Sequence, residues 1–205
     1  MHHLNHIEAL FPMIYLASAS PRRHELLKQI GIAHEVLQVP QPLGEDEPQL
    51  PDELAKDYVQ RTALKKALRA KAYIEEQELW VRPILSADTC VILNNQVLGK
   101  PVDASHAARI LGQLSGKTHE VHTAVVLAYR QQLLKTVSIT QVTMRPLSVK
   151  DIALYVQSGE YDGKAGAYGI QGLASVFIEK IEGSYSGVMG LPLYETWSLL
   201  QQLGR

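Results

Sequence analysis

The 205-residue sequence contains a single cysteine, Cys90. This residue cannot form a disulfide within the chain, and no second thiol is present to complete a metal-thiolate cluster. Its neighbours Thr89, Val91 and Ile92 favour a small buried hydrophobic side chain over a nucleophile. One cysteine fits a reducing compartment, and we therefore expect a cytoplasmic protein.

An excess of charge of either sign is also lacking, since the chain has 20 lysines and arginines and 21 aspartates and glutamates. A net charge of -1 supplies no long-range field for a nucleic-acid backbone, so any anion site must be built locally. The N-terminal region has no apolar run long enough to cross a membrane, and residues 1–12 lack the features of a signal peptide. We expect neither a nucleic-acid nor a membrane partner, with residues 1–12 forming a flexible N-terminal segment and residues 13–205 a single domain.

The region from Met13 to Leu27 carries the clearest functional signal. Met13 to Ala17 predicts a short buried strand, and Ser20-Pro21 predicts a helix start, since serine suits the cap and proline the first helical position. This helix start brings together three kinds of group: free first-turn amides, the hydroxyls of Ser18 and Ser20, and two arginines. Such a combination is typical of a phosphate site. The alternative is that Ser20-Pro21 only caps a helix and that Arg22 and Arg23 are solvated surface charge.

The rest of the chain mixes helices with strand pairs and strand-helix units, which predicts an α/β fold with a mixed sheet, flanking helices and two lobes around a central cleft. Segment 83–87 predicts a strand that ends before Asp88, so that Asp88 and Thr89 lie outside its carboxyl end, and segment 90–93 continues extended after them. Asn94-Asn95 predicts a hairpin turn between Asp88 and Lys100. Further predicted elements are strands at 31–39, 121–129, 133–144 and 175–181 and helices at 51–78, 103–114, 149–158 and 191–203.

Two other features have competing interpretations. The glycine-dense segment 163–172 is neither a Walker loop nor a dinucleotide fingerprint, and its glycines either permit tight turns or let the backbone approach a ligand closely. His119 and His122 have no third ligand nearby, which favours polar surface side chains over a metal site.

Three segments together resemble the Maf family of nucleotide pyrophosphatases. They are Ser18 to Leu27, Ala87-Asp88-Thr89 with Leu98-Gly99-Lys100-Pro101, and Ala165 to Gly172. The resemblance covers nearly the whole chain from Met13 onward. It implies a Maf/ITPase-like fold, hydrolysis of a nucleoside triphosphate to the monophosphate and pyrophosphate with Mg²⁺ or Mn²⁺, a homodimer, and a link to septum formation. The loop sequence Ala-Tyr-Gly-Ile-Gln-Gly at 167–172 is typical of the dTTP/UTP branch of that family.

The resemblance also implies roles for individual residues. The triphosphate would be held by Ser18, Ser20, Arg22 and Arg23, with Lys66 and Lys100 as further charge partners. Lys65 is adjacent and could face the site in place of Lys66. Asp88 would accept the proton of the attacking water and bind the metal, and Glu35 would assist the metal or the water. Residues linked to specificity would be Arg22, Thr89 and Gln171.

Two other functions stay open on the sequence alone. The same residues could form a nucleotide-sensing or division-regulating module that binds without turnover, or a pyrophosphatase for ITP or 7-methyl-GTP. A carboxylate beside a polyphosphate is costly for binding unless a metal or a proton transfer uses it, so Asp88 with Glu35 favours an enzyme. If each residue is considered alone, Asp88 is expected to be an N-cap or turn aspartate and Lys100 a solvated turn lysine.

Overall fold

The computed structural model describes residues 11–40 and 48–203, so nearly all of the predicted N-terminal segment lies outside the described residues. The strands are β1 (Ile14–Leu16), β2 (His34–Val36), β3 (Ile84–Leu93), β4 (Gln96–Leu98), β5 (Thr118–Tyr129), β6 (Gln132–Met144) and β7 (Ile178–Glu182). The helices are α1 (Pro21–Gln29), α2 (Ala55–Glu76), α3 (Ala104–Leu114), α4 (Val149–Gln157), α5 (Tyr185–Met189) and α6 (Leu193–Leu200). Two short 3-10 helices, Ala165–Ala167 and Leu173–Phe177, precede β7.

The strands of the described residues form one sheet in the order β2-β1-β3-β5-β6-β7, with β4 paired to the end of β3. Strand β1 runs parallel to both β2 and β3. The remaining pairs are antiparallel. The prediction of a mixed sheet with flanking helices is therefore confirmed.

Helix α2 covers one face of the sheet with a side made of small residues. Ala63, Ala67 and Ala70 are fully buried, which lets the helix backbone approach β3 closely. The hydroxyl of Ser86 on β3 donates to the carbonyl oxygen of Ala63 at 2.9 Å, and this buried bond fixes the position of α2 along the strand. Cys90 packs in the same layer as a small buried side chain, as predicted, and burial raises the pKa of its thiol to about 12.

The opposite face of β3 is apolar at both ends and polar in the middle. Leu85 and Ala87 belong to an apolar core with α1 and α6, whereas Val91 and Leu93 belong to a second core with α3 and α4. Strand side chains alternate between the two faces, so Thr89 lies on this face between the two cores. The cleft that was expected between two lobes opens at this polar interruption.

Strand β3 corrects the prediction for Asp88 and Thr89. The strand is not interrupted at these residues but runs on into the predicted extended segment 90–93, because both keep their pairing with β5. Asp88 therefore lies mid-strand, on the face that α2 covers. It nevertheless reaches the cleft, because the parallel neighbour β1 already ends at Leu16, which pairs with Leu85.

Other local predictions have mixed outcomes. The hairpin between β3 and β4 is confirmed, with φ angles of 52° at Asn94 and 65° at Asn95, as a type I′ turn requires. The interpretation of His119 and His122 as surface residues is wrong, since both lie within β5 and are only 2% and 6% exposed. Across the described ranges, every helix is too short or too polar to cross a lipid bilayer.

Candidate active site

A cavity of about 750 Å³ lies beyond the carboxyl end of β1, against the polar middle of β3. It brings together almost all of the residues predicted for the site: Ser18, Ser20, Arg22, Arg23, Lys66, Asp88, Thr89, Lys100 and Gln171. These residues come from the connection between β1 and α1, from α2 and β3, from the segment after β4 and from the glycine-dense loop. Segments that are far apart in the sequence thus meet in one place.

The start of α1 forms what we call the anion wall: Ser18, Ser20, Arg22 and Arg23. Arg23 is 9% exposed, and its guanidinium donates to three neutral acceptors. These are the carbonyl oxygen of Gly190 at 2.8 Å, Ser18 Oγ at 2.9 Å and Thr89 Oγ1 at 3.3 Å. Burial lowers the pKa of Arg23, although an arginine remains protonated in proteins. The wall therefore holds one cation in a fixed position.

Ser20 and Arg22 make fewer contacts in this wall. Pro21 begins α1 after Ser20, as predicted, but the Ser20 side chain does not cap a helix amide. Arg22 Nε donates to the carbonyl oxygen of Met189 at 3.2 Å, and burial lowers the pKa of its guanidinium. Because no side chain caps the first turn of α1, its amides can donate to an anion in the cavity.

On α2 and β3, three residues form what we call the carboxylate wall: Thr62, Lys66 and Asp88. Lys66 and Asp88 line the cavity, and Thr62 lies beside them in a smaller adjoining pocket. The ammonium of Lys66 bonds to Asp88 Oδ1, and the hydroxyl of Thr62 donates to Asp88 Oδ2 at 2.8 Å. Only 16% of the Asp88 side chain is exposed. Of the two neighbouring lysines, Lys66 lines the main cavity and bonds to Asp88. Lys65 is more exposed and lines a smaller adjoining pocket that also contains Lys66 and Asp88.

A chain of hydroxyl groups connects the sheet to α5 beside the anion wall. Thr89 and Thr123 are paired across β3 and β5, and their hydroxyl oxygens lie 2.9 Å apart. Thr123 Oγ1 donates to the carbonyl oxygen of Gly187 at 2.8 Å. Because Arg23 bonds both Thr89 and the segment after α5, these contacts join α1, β3, β5 and α5 at one point.

The glycine-dense loop closes a third side of the cavity. Gly166 has a φ of 69°, and a Cβ atom there would lie 2.8 Å from a methyl group of Val91, so the backbone approaches β3 too closely for any side chain. Tyr168 and His119 are joined by a buried hydrogen bond of 2.8 Å between the phenol oxygen and Nε2. Burial lowers the pKa of His119 to about 4, so this pair is neutral at pH 7. Gln171 is exposed and lines the cavity.

Positive charge dominates the cavity lining. The cationic side chains are Arg22, Arg23, Lys66, Arg69, Lys100 and Lys164, against the carboxylates of Asp88 and Asp162. Burial, followed by the nearby Arg22, lowers the pKa of Lys164. The whole chain has a net charge of only -1, so the anion site is local, as the sequence predicts.

Glu35 lies outside the cavity that the other predicted residues share. It is on β2, where its carboxylate accepts a hydrogen bond of 2.7 Å from Arg82, and 56% of its side chain is exposed. The Arg82 guanidinium in turn lies over the ring of Tyr15. The structure gives Glu35 a role in a surface ion pair, and we therefore leave it out of the catalytic group.

Several polar residues at the site have no role in the sequence prediction, among them Thr62, Arg69 and Lys164. Arg69 follows Lys66 by three residues, so helical spacing could have placed it on the same face. Lys164 lies inside the glycine-dense segment, which was itself a candidate. Thr62 carries no sequence signal, because a threonine within a helix is ordinary.

Comparison with known proteins decides the family. The family described as "Maf-like protein" matches residues 13–203 of this chain. The chain belongs to the Maf family. The resemblance predicted from the three sequence segments is thereby confirmed.

Named relatives of this Maf chain match it along nearly its whole length. A dTTP/UTP pyrophosphatase of Bordetella avium is 59% identical over 193 residues, which are 94% of this chain and 96% of that protein. A dTTP/UTP pyrophosphatase of Shigella boydii serotype 4 is 54% identical, with 91% of each chain covered. One of Nitrosomonas europaea is 47% identical, with 93% of this chain and 94% of that protein covered.

Among solved structures, the Staphylococcus aureus Ham1 protein has a partial likeness to this Maf chain. The match covers 65% of this chain and 72% of that one, at 13% sequence identity and a TM-score of 0.43. A likeness at this level supports no conclusion about activity.

The donor atoms in this Maf chain can be compared with the needs of a divalent metal. Among residues 11–40 and 48–203, no group of three or more histidine, cysteine, aspartate or glutamate side chains could hold a metal ion. Mg²⁺ is often bound through only one or two carboxylates together with substrate phosphates. Asp88 offers one such carboxylate inside the cavity, so the residues fit a metal that is bound jointly with a polyphosphate.

Proposed function

We propose that this chain hydrolyses dTTP and UTP to the nucleoside monophosphate and pyrophosphate. The observation that carries the proposal is the Asp88 carboxylate, which Lys66 and Thr62 hold inside a cavity lined mainly by cations. A protein that only bound polyphosphate would gain nothing from this negative charge. The names of the three relatives support the preference for dTTP and UTP.

The proposed reaction cleaves the bond between the α and β phosphates. A water oxygen bonds to the α-phosphorus while Asp88 accepts the water proton, and the bridging bond breaks with its electron pair leaving on pyrophosphate. Lys66 and Lys100 offset the negative charge that builds up on that leaving group. Holding water, carboxylate and phosphate together supplies much of the rate enhancement in reactions of this kind.

Substrate binding is assigned to the anion wall and the glycine-dense loop. The arginines and the free amides of α1 would hold the phosphates, with the hydroxyls of Ser18 and Ser20 beside them. Thr89 and Gln171 line the same cavity and would contact the nucleoside. The amide of Gln171 can both donate and accept, which suits the edge of a pyrimidine ring.

Asp88 is also the residue that would hold Mg²⁺ or Mn²⁺. When bound, such a metal makes a coordinated water more acidic and offsets phosphate charge. Both ions accept oxygen ligands, so this donor set is compatible with either. A homodimer, a cytoplasmic location, the absence of nucleic-acid and membrane partners, and a link to septum formation stay predictions from the resemblance and the composition.

The test is pyrophosphate release from dTTP, UTP, CTP, 7-methyl-GTP and ITP, with Mn²⁺ or Mg²⁺. We expect dTTP and UTP to be the preferred substrates. Replacing Asp88 by asparagine should lower kcat by about 100-fold to 1000-fold, because it removes the proton acceptor. Lys100→Ala should also lower kcat, since it removes charge at the leaving group.

Glu35→Gln is the matched control, because it neutralises a carboxylate that lies outside the cavity. Its kcat should stay close to that of the wild type. A wild-type preference for ITP or 7-methyl-GTP would replace the proposed substrates with purine nucleotides. Binding of nucleotides without any turnover would instead show a sensing or division-regulating module.

A further inference from the structure

Helix α2 supplies one hydrogen-bond partner to each oxygen of the Asp88 carboxylate. Lys66 bonds to Oδ1, and Thr62 donates to Oδ2 at 2.8 Å. The two partners are four residues apart, so they lie on the same face of the helix. A carboxylate held at both oxygens cannot turn about its Cβ–Cγ bond without losing one of these contacts.

Thr62 is the more firmly placed of the two partners. It is 8% exposed and has a β-branched side chain with few rotamers. The side chain of Lys66 is 36% exposed and ends in a flexible four-carbon stem. Removing Thr62 would therefore leave the carboxylate attached to a mobile group alone.

The single proton of the Thr62 hydroxyl has three acceptors within reach. Asp88 Oδ2 is the nearest, while the carbonyl oxygens of Tyr58 and Val59 each lie at 3.0 Å. A charged acceptor makes the stronger hydrogen bond. The helical carbonyls also have amide donors four residues later, so they do not depend on this hydroxyl. The arrangement directs the proton to Asp88.

We propose that Thr62 is a positioning residue, whose hydroxyl holds the Asp88 carboxylate in the orientation that accepts the proton of the attacking water. This inference rests on the proposed function, in which Asp88 is the proton acceptor. The buried bond from Ser86 to Ala63 supports it, because that bond fixes α2 against β3 beside Thr62 and two residues from Asp88.

Two substitutions separate the hydroxyl from the shape of the side chain. Thr62→Val keeps the β-branched shape and removes the hydroxyl, whereas Thr62→Ser keeps the hydroxyl. We expect the valine variant to lower kcat for dTTP by about tenfold, the lower end for a hydrogen bond to a charged group, because Lys66 still holds one oxygen. KM should not change, and the serine variant should recover most of the wild-type kcat.

Thr196→Val is the matched control for removing a buried threonine hydroxyl. Thr196 is fully buried in α6, away from the cavity, and its hydroxyl has no hydrogen-bond partner among the described residues. The control variant should keep the kcat and KM of the wild type.

Crystal structures of the wild type and the Thr62→Val protein supply a readout that does not depend on activity. The wild type should show one orientation of the Asp88 carboxylate, and the variant a rotated carboxylate or two orientations. The inference is overturned by an unchanged kcat, by equal losses in the valine and serine variants, by a change confined to KM, or by an unmoved carboxylate. If the wild type hydrolyses none of the nucleotides, the proposed function fails, and the crystal structures decide whether Thr62 orients Asp88.

Discussion

The anion wall and the carboxylate wall face the same cavity but hold their cations differently. Arg23 donates to one carbonyl and two hydroxyls, all of them neutral, whereas Lys66 bonds directly to the carboxylate of Asp88. A guanidinium held by neutral acceptors is fixed in place and keeps its charge for an incoming anion. The charge of Lys66 is offset by its partner. The difference indicates that one wall is built for binding and the other for a charge change during the reaction.

Lys66 is expected to give the largest effect that tests this comparison. Lys66→Gln removes the cation beside Asp88 and the charge partner of the leaving group, and kcat should fall by about 100-fold. Lys71→Gln is the control, since it makes the same change on the exposed side of α2, away from the residues that line the site. Pyrophosphate release from dTTP measures both variants. Equal losses would show that overall positive charge matters, and not the pairing with Asp88.

Arg23 should give the next largest effect, and on stability as well as binding. Arg23→Lys cannot reproduce the planar three-way contact, and the loss should lower the free energy of unfolding by about 2 kcal/mol. Arg22→Lys is the matched change at a less buried site with one backbone contact, and it should cost about 0.5–1 kcal/mol. Urea unfolding compares the two. A larger cost at Arg22 would contradict the assignment of Arg23 as the fixed cation of the anion wall.

The third side of the cavity differs from both walls, because its buried pair, His119 and Tyr168, is neutral. Unfolded His119 binds a proton near pH 6.5, whereas the folded protein keeps it neutral down to about pH 4. The unfolded state therefore holds more protons in this window, and stability falls as the pH is lowered through it, by at most about 1.4 kcal/mol per pH unit. The full contribution is present above the unfolded pKa of 6.5.

Urea unfolding between pH 4 and pH 7.5 measures this effect. The free energy of unfolding of the His119→Gln protein should lose the part of its pH dependence that His119 causes. His106→Gln, at a less buried histidine, is the control and should keep that part. Identical profiles for the wild type and the His119→Gln protein would rule out His119 as the origin of the slope.

Features that depend on a few neighbouring residues are predictable from this sequence. Ser20-Pro21 marks the start of α1, and Asn94-Asn95 marks the turn after β3, because cap and turn conformations are set locally. Asp88 shows the limit of this reasoning. A polar pair within an apolar run looks like the end of a strand, but β3 continues, since α2 supplies polar partners to Asp88.

Contacts between distant segments are not visible in the local pattern. Glu35 accepts a hydrogen bond from Arg82, which lies 47 residues later in the chain. His119 is hydrogen-bonded to Tyr168, which lies 49 residues later. The sequence alone therefore predicts that Glu35 is available for catalysis and that His119 is exposed. Thr62 resembles any helical threonine until the packing of α2 on β3 brings it to a carboxylate 26 residues away.

The hydroxyl chain beside the anion wall permits only one order of its protons. The carbonyl oxygen of Gly187 can only accept, so Thr123 donates its single hydroxyl proton to it and must accept from Thr89. Thr89 then has no proton left and meets Arg23 as an acceptor. Thr89 therefore presents only a lone pair to the cavity. A ligand group that hydrogen-bonds to this hydroxyl must donate an N–H or O–H, and a group that can only accept makes no hydrogen bond there.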